Sequence, residues 1–398
     1  MKILQLDVEG FRSLRQTSWT PGNLNVVIGP NGSGKSNLLR ILEMLGVAAR
    51  GGLGKYIQYE GGMEPLLWDG SADRIRIRLK LSPLEPQRQV ERESLTYDLT
   101  LARLGMSSAY RIEYELLGNF YGVEQGTRQK PFKFLERDPR HARIFASDQK
   151  ALVAPEASVP EQETLLSQAA GPFAVNRLIA ECQTDLASWS VHQSFHTHRE
   201  AAVRVPVVTR AETRVQDDGQ NLIAVLHTLY TGDREFKKEV NTAMRAAFSD
   251  DFDELVFPPA ADQRIQLRVR WKSLKHEQSA ADLSDGTLRF LFLLAVLANP
   301  KPPPIIAIDE PETGLHPSML PIVAEYATEA ANRAQVILTT HSPELLDAFG
   351  ETLPTTTVVE WREGETRLRV LADTALDYWL TQYTLGELYR SHELEDME

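Results

Sequence analysis

Residues 25 to 42 read NVVIGPNGSGKSNLLRIL, an apolar strand, a glycine-rich turn and the opening of an amphipathic helix. Gly29, Gly34, Lys35 and Ser36 satisfy the pattern G-x-x-x-x-G-K-[ST] with the flanks that the pattern requires. A triphosphate carries concentrated negative charge, and successive backbone N–H groups turned inward at a helix N-terminus form a concave anion site. Side chains block that approach, so Gly29, Gly32 and Gly34 omit the Cβ where the backbone comes close or takes positive φ. Lys35 reaches the β and γ oxygens, and Ser36 offers its hydroxyl to Mg²⁺. The loop is expected to hold a nucleoside triphosphate, with contacts from Asn31, Gly32, Ser33, Gly34, Lys35, Ser36 and Asn37.

The rest of the chain reads as a split nucleotide-binding fold of the α/β class. Residues 1 to 50 give strands, the loop and a first helix, and about 74 to 118 read as an antiparallel meander (RIRIRLKL, SLTYDLTLARL, YRIEYELLG). From about 119 to 173 the sequence is rich in Pro, Gly, Gln and charge and reads as an irregular insertion. Helical patterns follow at about 174 to 188 and 219 to 248, then a strand pair up to Lys272. From Leu283 onward helix, strand, helix, strand and helix alternate. The expected organisation is an N-terminal lobe over 1–118, an insertion or helical subdomain over 119–260 and a C-terminal lobe over 261–398.

The second half supplies what the loop lacks. PIIAIDEPETGLHP, residues 304 to 317, is an apolar strand ending in Asp309 and Glu310, as carboxylates at the C-terminal edge of a buried parallel strand do. Asp309 is expected to hold the Mg²⁺ shell, and Glu310 to orient or deprotonate the attacking water. Another apolar strand, in QVILTTHSPELLD, ends at His341, where an imidazole could contact the γ-phosphate or the water. In LSDGTLRFLFLL, residues 283 to 294, Ser284 is a good helix N-cap and Gly286 keeps the backbone open. Alone, that stretch reads as a capped core helix.

Composition bounds the partners. With 398 residues, 42% hydrophobic and 25% charged, the chain can bury one large core with an inserted subdomain, or two domains. Its one cysteine, Cys182, excludes an internal disulfide framework, fits a reducing compartment and reads as a small buried hydrophobe in a helix. MKILQLDVEG alternates like a strand rather than a signal peptide, and the longest apolar stretch, Phe290 to Ala298, is too short to span a bilayer. A cytoplasmic protein with no membrane partner is expected.

A net charge of −12 argues against coating nucleic acid with the whole surface. Two strands nevertheless carry a basic face at period two. One sets Arg74, Arg76, Arg78 and Lys80 opposite Ile75, Ile77, Leu79 and Leu81; the other sets Arg264, Gln266, Arg268, Arg270 and Lys272 opposite Ile265, Leu267, Val269 and Trp271. Each face is either a solvated sheet surface or a phosphate-contacting one. His192, His196 and His198 read as hydrogen-bonding histidines, with a metal site as the alternative. The C-terminal HELEDME reads as a solvated tail.

Five motifs together, GFRSL at Gly10 to Leu14, GPNGSGKSNLL at Gly29 to Leu39, LSDGTLR at Leu283 to Arg289, IDEPETGLHP at Ile308 to Pro317 and TTHSPELLD at Thr339 to Asp347, resemble the ATP-binding-cassette ATPases. Within them they resemble the RecF, SMC and OLD-like branch. The resemblance implies a P-loop NTPase with an ABC ATPase-like head, an antiparallel β subdomain and a helical insertion. It further implies a head-to-tail homodimer in which each ATP lies between one subunit's loop and the other's signature helix. Carried over by position, Ser284 and Gly286 contact the γ-phosphate held by the second subunit, and Arg12 reaches the nucleotide of its own. Hydrolysis then loosens a dimer that ATP had glued.

The signature reads LSDGT instead of LSGGQ, with Asp285 and Thr287 for Gly and Gln, a form closer to the RecF and OLD-like branch than to transporters. Gln58 is the candidate for the family's Q-loop glutamine. The stretch after His341 lacks the acidic cluster of the nuclease domain appended in OLD proteins, so no intrinsic nuclease activity is expected. Two readings lead: a Mg²⁺-dependent ATPase acting with DNA in repair, recombination or phage defence, and an ATP-gated scaffold controlling a separate nuclease or toxin. A transporter motor would need a membrane-coupling Q-loop segment and would not need GFRSL.

Overall fold

Side-chain alternation organises one sheet, and continuous burial organises another. The computed structural model describes residues 1–84, 89–105, 108–155, 158–170, 176–260, 264–371, 379, 382–391 and 393. The chain packs as two units interleaved in sequence: Met1–Gly22, Gly29–Trp189 and Thr357–Val370 form the first, and Asn23–Ile28, Ser190–Thr356 and Leu371–Glu398 the second. The segments 1–118, 119–260 and 261–398 remain a description of sequence order.

In the first unit, β1 (Ile3–Phe11) and β2 (Leu14–Trp19) form a hairpin. The strand that follows, β3 (Leu24–Ile28), belongs to the second unit. The strands β4 (Arg74–Leu81), β5 (Leu95–Arg103), β6 (Tyr110–Asn119), β7 (Phe132–Arg137), β8 (Ala142–Ala146) and β9 (Ala151–Val153) complete an antiparallel sheet in the order β2-β1-β4-β5-β6-β7-β8-β9. Ile75, Ile77, Leu79 and Leu81 of β4 are wholly buried. Each such side chain contributes roughly 1.5–3 kcal/mol over its exposed state, so a one-residue slip, which turns all four outward, is excluded.

The stretch after residue 119 that reads as irregular differs in the structure. It carries β7, β8 and β9, which pair in turn outward from β6. Strands of three to six residues are too short for their alternation to stand out from a Pro- and Gly-rich background.

The helices of this unit are α1 (Lys35–Ala49), α2 (Leu53–Tyr59), α3 (Val90–Glu93), α4 (Tyr121–Glu124), α5 (Leu165–Ala169) and α6 (Arg177–Ala187). In α6, Ile179, Cys182 and Leu186 share the buried face that the helical spacing predicts. Glu115 on β6 is buried and accepts from the amides of Leu165 (2.6 Å) and Leu166 (2.8 Å) and from the Tyr97 hydroxyl (3.0 Å), tying α5 to the sheet.

The second unit is built on the parallel strands β3, β10 (Ser190–His192), β16 (Ile305–Asp309) and β17 (Gln335–Thr340), in the order β10-β16-β17-β3. All residues of β3 and β17 are buried, as in a parallel sheet covered on both faces. Asp309 stands opposite Thr339, Thr339 opposite Val27 and Thr340 opposite Ile28, so β3, β16 and β17 end along one edge.

Between β10 and β16 run β11 (Val207–Val208), β12 (Phe252–Val256), β13 (Arg264–Ile265), β14 (Arg268–Trp271) and β15 (Gln278–Ser279). The segment RIQLRVRWK is therefore two strands rather than one. β13 pairs with β11, whereas β14 pairs with β12 and β15, so two sheets draw on a single alternating run. The helices are α7 (Leu222–Gly232), α8 (Arg234–Phe248), α9 (Asp285–Leu297), α10 (Leu320–Ala331) and α11 (Pro343–Asp347). α9 is apolar on nearly every side and correspondingly buried from Thr287 to Leu297, Arg289 apart.

A hairpin of β18 (Thr355–Arg362) and β19 (Glu365–Val370) lies beyond the last element expected from the sequence. Its Thr357–Val370 part returns to the first unit, where the Thr366 amide donates to Ser13 O (2.8 Å) and Trp19 Nε1 to Thr357 Oγ1 (3.0 Å). Of HELEDME, residues 392 and 394–398 fall outside the described residues.

Candidate functional site

From Ile28 the chain passes directly into the glycine-rich loop. Gly29, Gly32 and Gly34 take φ of 147°, 80° and 108°. A Cβ on Gly29 would lie 2.2 Å from the Val359 carbonyl oxygen, and one on Gly34 2.1 Å from Thr366 Oγ1, so glycine is required at both. Thr366 Oγ1 donates to Ser33 O (2.7 Å) and lies 2.7 Å from Ser13 Oγ, to which Asn37 Nδ2 also donates (2.7 Å).

Lys35 is buried, and its ammonium donates to the carbonyls of Gly29 (2.8 Å) and Pro30 (3.1 Å) across the loop. The 15-residue helix α1 begins with no side-chain cap and no acidic residue in its first turn. Ser33 Oγ is buried without a hydrogen-bond partner among the described residues. A cradle that a Cβ would fill, an uncapped helix N-terminus, a buried hydroxyl and a buried ammonium together suit a triphosphate.

In the second unit the edge where β16 and β17 end gathers the carboxylates. Thr339 Oγ1 donates to Asp309 Oδ1. Glu310 takes φ 46°, a left-handed conformation stabilised by its amide, which donates to Thr339 O and Thr339 Oγ1, each at 3.1 Å. That turn brings Glu310 Oε1 within 3.1 Å of His341 Nε2, while Oε2 accepts from Thr313 Oγ1 (3.2 Å). Glu312 accepts from Thr340 Oγ1 (2.6 Å) and from the His341 amide (3.0 Å), fixing the loop that presents the imidazole. Burial pushes the Glu312 carboxyl above the usual glutamate range. A cavity of about 300 Å³ opens beside these groups, with Asp309, Glu310, Thr313, Arg289, His192 and His196 among its lining.

The signature stretch caps α9 as its sequence predicts. Ser284 Oγ accepts from the Thr287 amide (3.1 Å) and lies 2.8 Å from Thr287 Oγ1. A Cβ on Gly286 would lie 2.7 Å from Gly314 O, so this glycine permits close approach to the turn that follows Glu310.

Over residues 24–347 the sequence matches the family described as "AAA domain, putative AbiEii toxin, Type IV TA system". The chain belongs to this AAA-domain family. Among solved structures, the AAA domain is similar to an SMC head bound to the C-terminal winged-helix domain of ScpA, with TM-score 0.58 and 13% identity over 95% of this chain and 100% of that one. It is also similar to an Smc head with an extended coiled coil, bound to the C-terminal domain of ScpA and derived from Pyrococcus furiosus, with TM-score 0.54 and 13% identity over 96% and 98% of the two chains. At such identity the likeness is one of fold: a mixed α/β, P-loop fold like that of SMC heads, with an antiparallel sheet. No protein of curated function matches the sequence.

Other residues singled out from the sequence take varied positions in the structure. Arg12, at φ 47° between β1 and β2, pairs its guanidinium with Glu60. Gln58 is exposed on α2. The basic face of β4 is matched by acids: Arg74 with Glu113 (3.3 Å), Arg76 with Asp98 (2.8 Å), Lys80 with Glu124 (2.8 Å), while Arg78 lies over the Phe120 ring (4.7 Å). Arg270 likewise pairs with Glu254 (2.5 Å) and Glu277 (2.8 Å).

His192 is a buried hydrogen-bonded histidine, 2.7 Å from Ser190 Oγ and 3.1 Å from Asp217 O, and burial presses its pKa down. His196 and His198 have ring centroids 6.3 Å apart, and no metal-binding cluster of acids, His or Cys occurs among the described residues. Cys182 is buried. No helix among the described residues is long and apolar enough to cross a membrane.

Sequence reading missed Glu312, Thr313, Thr339 and Thr366. Glu312 left a signal as the third carboxylate of the DEPE run; the threonines left none, because their partners are set by strand register and by a hairpin far along the chain.

Proposed function

We propose that this AAA domain binds ATP and hydrolyses it in a Mg²⁺-dependent reaction, and that two copies close on the nucleotide. The observation that carries the reading is the shared edge of β3, β16 and β17, where the glycine loop departs and Asp309, Glu310 and His341 follow. Open parallel sheets bind ligands at that edge. Lys35 and the α1 N-terminus neutralise the phosphates. Ser36 and Asp309 would hold Mg²⁺, which would supply charge neutralisation at the phosphate oxygens. Glu310 accepts a proton from the attacking water, and His341, in contact with Glu310 Oε1, orients that carboxylate or the γ-phosphate. Arg12 reaches a phosphate only by giving up Glu60. Ser284 and Gly286 meet the nucleotide of the second copy.

Two substitutions test this. Lys35→Ala should abolish tight ATP binding, and retained affinity in a fluorescent-nucleotide titration would refute the loop assignment. Glu310→Gln should bind ATP, lose at least about 100-fold in turnover and accumulate as an ATP-bound dimer; wild-type turnover would refute the general base.

For the biological role, the pairing of the β4 and β14 cations with carboxylates favours an ATP-gated scaffold that controls a separate nuclease or toxin over direct DNA engagement in repair or defence. The family description names a toxin system, and the similar SMC heads are complexed with a partner protein, which fits that role. The steady-state ATPase rate with and without single- and double-stranded DNA separates the two. Clear stimulation supports the DNA role; a slow, indifferent rate supports the scaffold, which would act in the cytoplasm.

A further inference from the structure

Arg204 lies outside every motif, yet its side chain is only 9% exposed and is surrounded by acceptors. Nε donates to Thr197 O (2.6 Å), and Nη1 faces the carbonyls of Leu283 (2.7 Å), Ala280 (3.0 Å) and Ala281 (3.2 Å). Nη2 pairs with Asp285. The acceptors at 280, 281, 283 and 285 are the turn that enters LSDGT and the first residue of α9. Thr197 donates to Asp285 from the same side, and together with Arg204 it holds that carboxyl below the usual aspartate range.

A guanidinium is a planar fork of five donors, so it fixes these acceptors relative to one another in a way a flexible ammonium does not. The body of α9 is seated by its apolar side chains, but Ser284 and Asp285 are exposed at its tip. Asp285 is also the position where the signature departs from the LSGGQ pattern. A glycine there would leave Nη2 without its carboxylate.

We propose that Arg204 is a positioning residue for the signature helix, with Asp285 as its dedicated partner: the pair holds Ser284 and Gly286 in the attitude that meets the nucleotide of a second copy. The inference rests on the dimeric reading above and makes LSDGT a two-part device rather than a degenerate LSGGQ.

The test uses the full chain carrying Glu310→Gln. Fluorescent-ATP affinity reads the subunit's own loop, and light scattering reads ATP-dependent dimerisation. Arg204→Met and Asp285→Gly should each leave nucleotide affinity within about twofold while weakening the dimer about tenfold or more, and the double variant should be no worse than the singles. Arg204→Lys keeps the charge without the fork and should fail as the Met variant does; it also serves if Arg204→Met does not fold. Unchanged dimerisation, additive losses or rescue by Lys would each overturn the proposal.

Amide exchange in the monomer makes the test independent of dimer formation. The amides of Thr287 and Leu288, bonded to Ser284 Oγ and Ser284 O, should exchange about tenfold faster in the Arg204 variants. Unchanged protection overturns the clamp. A parent that fails to dimerise, with faster exchange in the variants, overturns the dimeric reading while sustaining the clamp.

Discussion

Glu310 pays for its position in backbone conformation: a non-glycine residue at φ 46° is disfavoured by about 1–2 kcal/mol, offset by its two hydrogen bonds to Thr339. Its neighbour Glu312 acts one step removed, holding the Thr340 hydroxyl and the His341 amide. Glu312→Ala removes the acceptor of the buried Thr340 hydroxyl, at about 1–3 kcal/mol, and of the His341 amide. The expected outcome is a lower Tm and a kcat reduced about tenfold or more with KM for ATP little changed, read by calorimetry and steady-state kinetics. Burial raises the Cys182 thiol pKa, so a thiol reagent should label it only after unfolding. At this scale the sequence is most legible where chemistry is local: Gly29 to Ser36 and Asp309-Glu310 are each one contiguous stretch. Thr366, which bonds the Ser33 carbonyl across 333 residues of sequence, carries no local mark.

Among the elements, β4 shows what alternation can and cannot tell. Its buried face was readable from RIRIRLKL, but the fate of its charges depended on strands β5 and β6, whose Asp98 and Glu113 meet Arg76 and Arg74. Reversing Arg76 and Arg78 to Glu places negative charge beside the nearly buried Asp98, so it should lower the urea midpoint and leave DNA affinity unchanged by anisotropy. A selective loss of DNA binding would restore the phosphate-contacting reading. RIQLRVRWK has the same alternation as RIRIRLKL but splits between two sheets, a distinction that pairing partners make and periodicity does not. On β6, burial is the main cause raising the Glu115 carboxyl above its unfolded value. A raised acid binds more protons folded than unfolded, so its contribution is fully present below the unfolded pKa of about 4.3 and declines as pH rises through the folded value. Glu115→Gln should flatten the dependence of Tm on pH upward from that point.

Across the whole molecule, the two units exchange segments. Asn23–Ile28 serves the second, while Thr357–Val370 serves the first. A chain stopped at residue 354 still contains all five motifs, yet it lacks the Thr366 bond to Ser33 and the Val359 backbone against Gly29. It should therefore bind fluorescent ATP at least about tenfold more weakly than the full chain, and equal affinity would show that the loop holds its shape unaided. The return of β18 and β19 also has a temporal meaning. During synthesis the glycine loop is made long before its supporting hairpin, Thr366 following Ser33 by 333 residues, so a nascent chain carries the motif before it has that support. If the hairpin is what shapes the loop, the motif should gain its affinity for nucleotide only after Thr366 has been added to the chain.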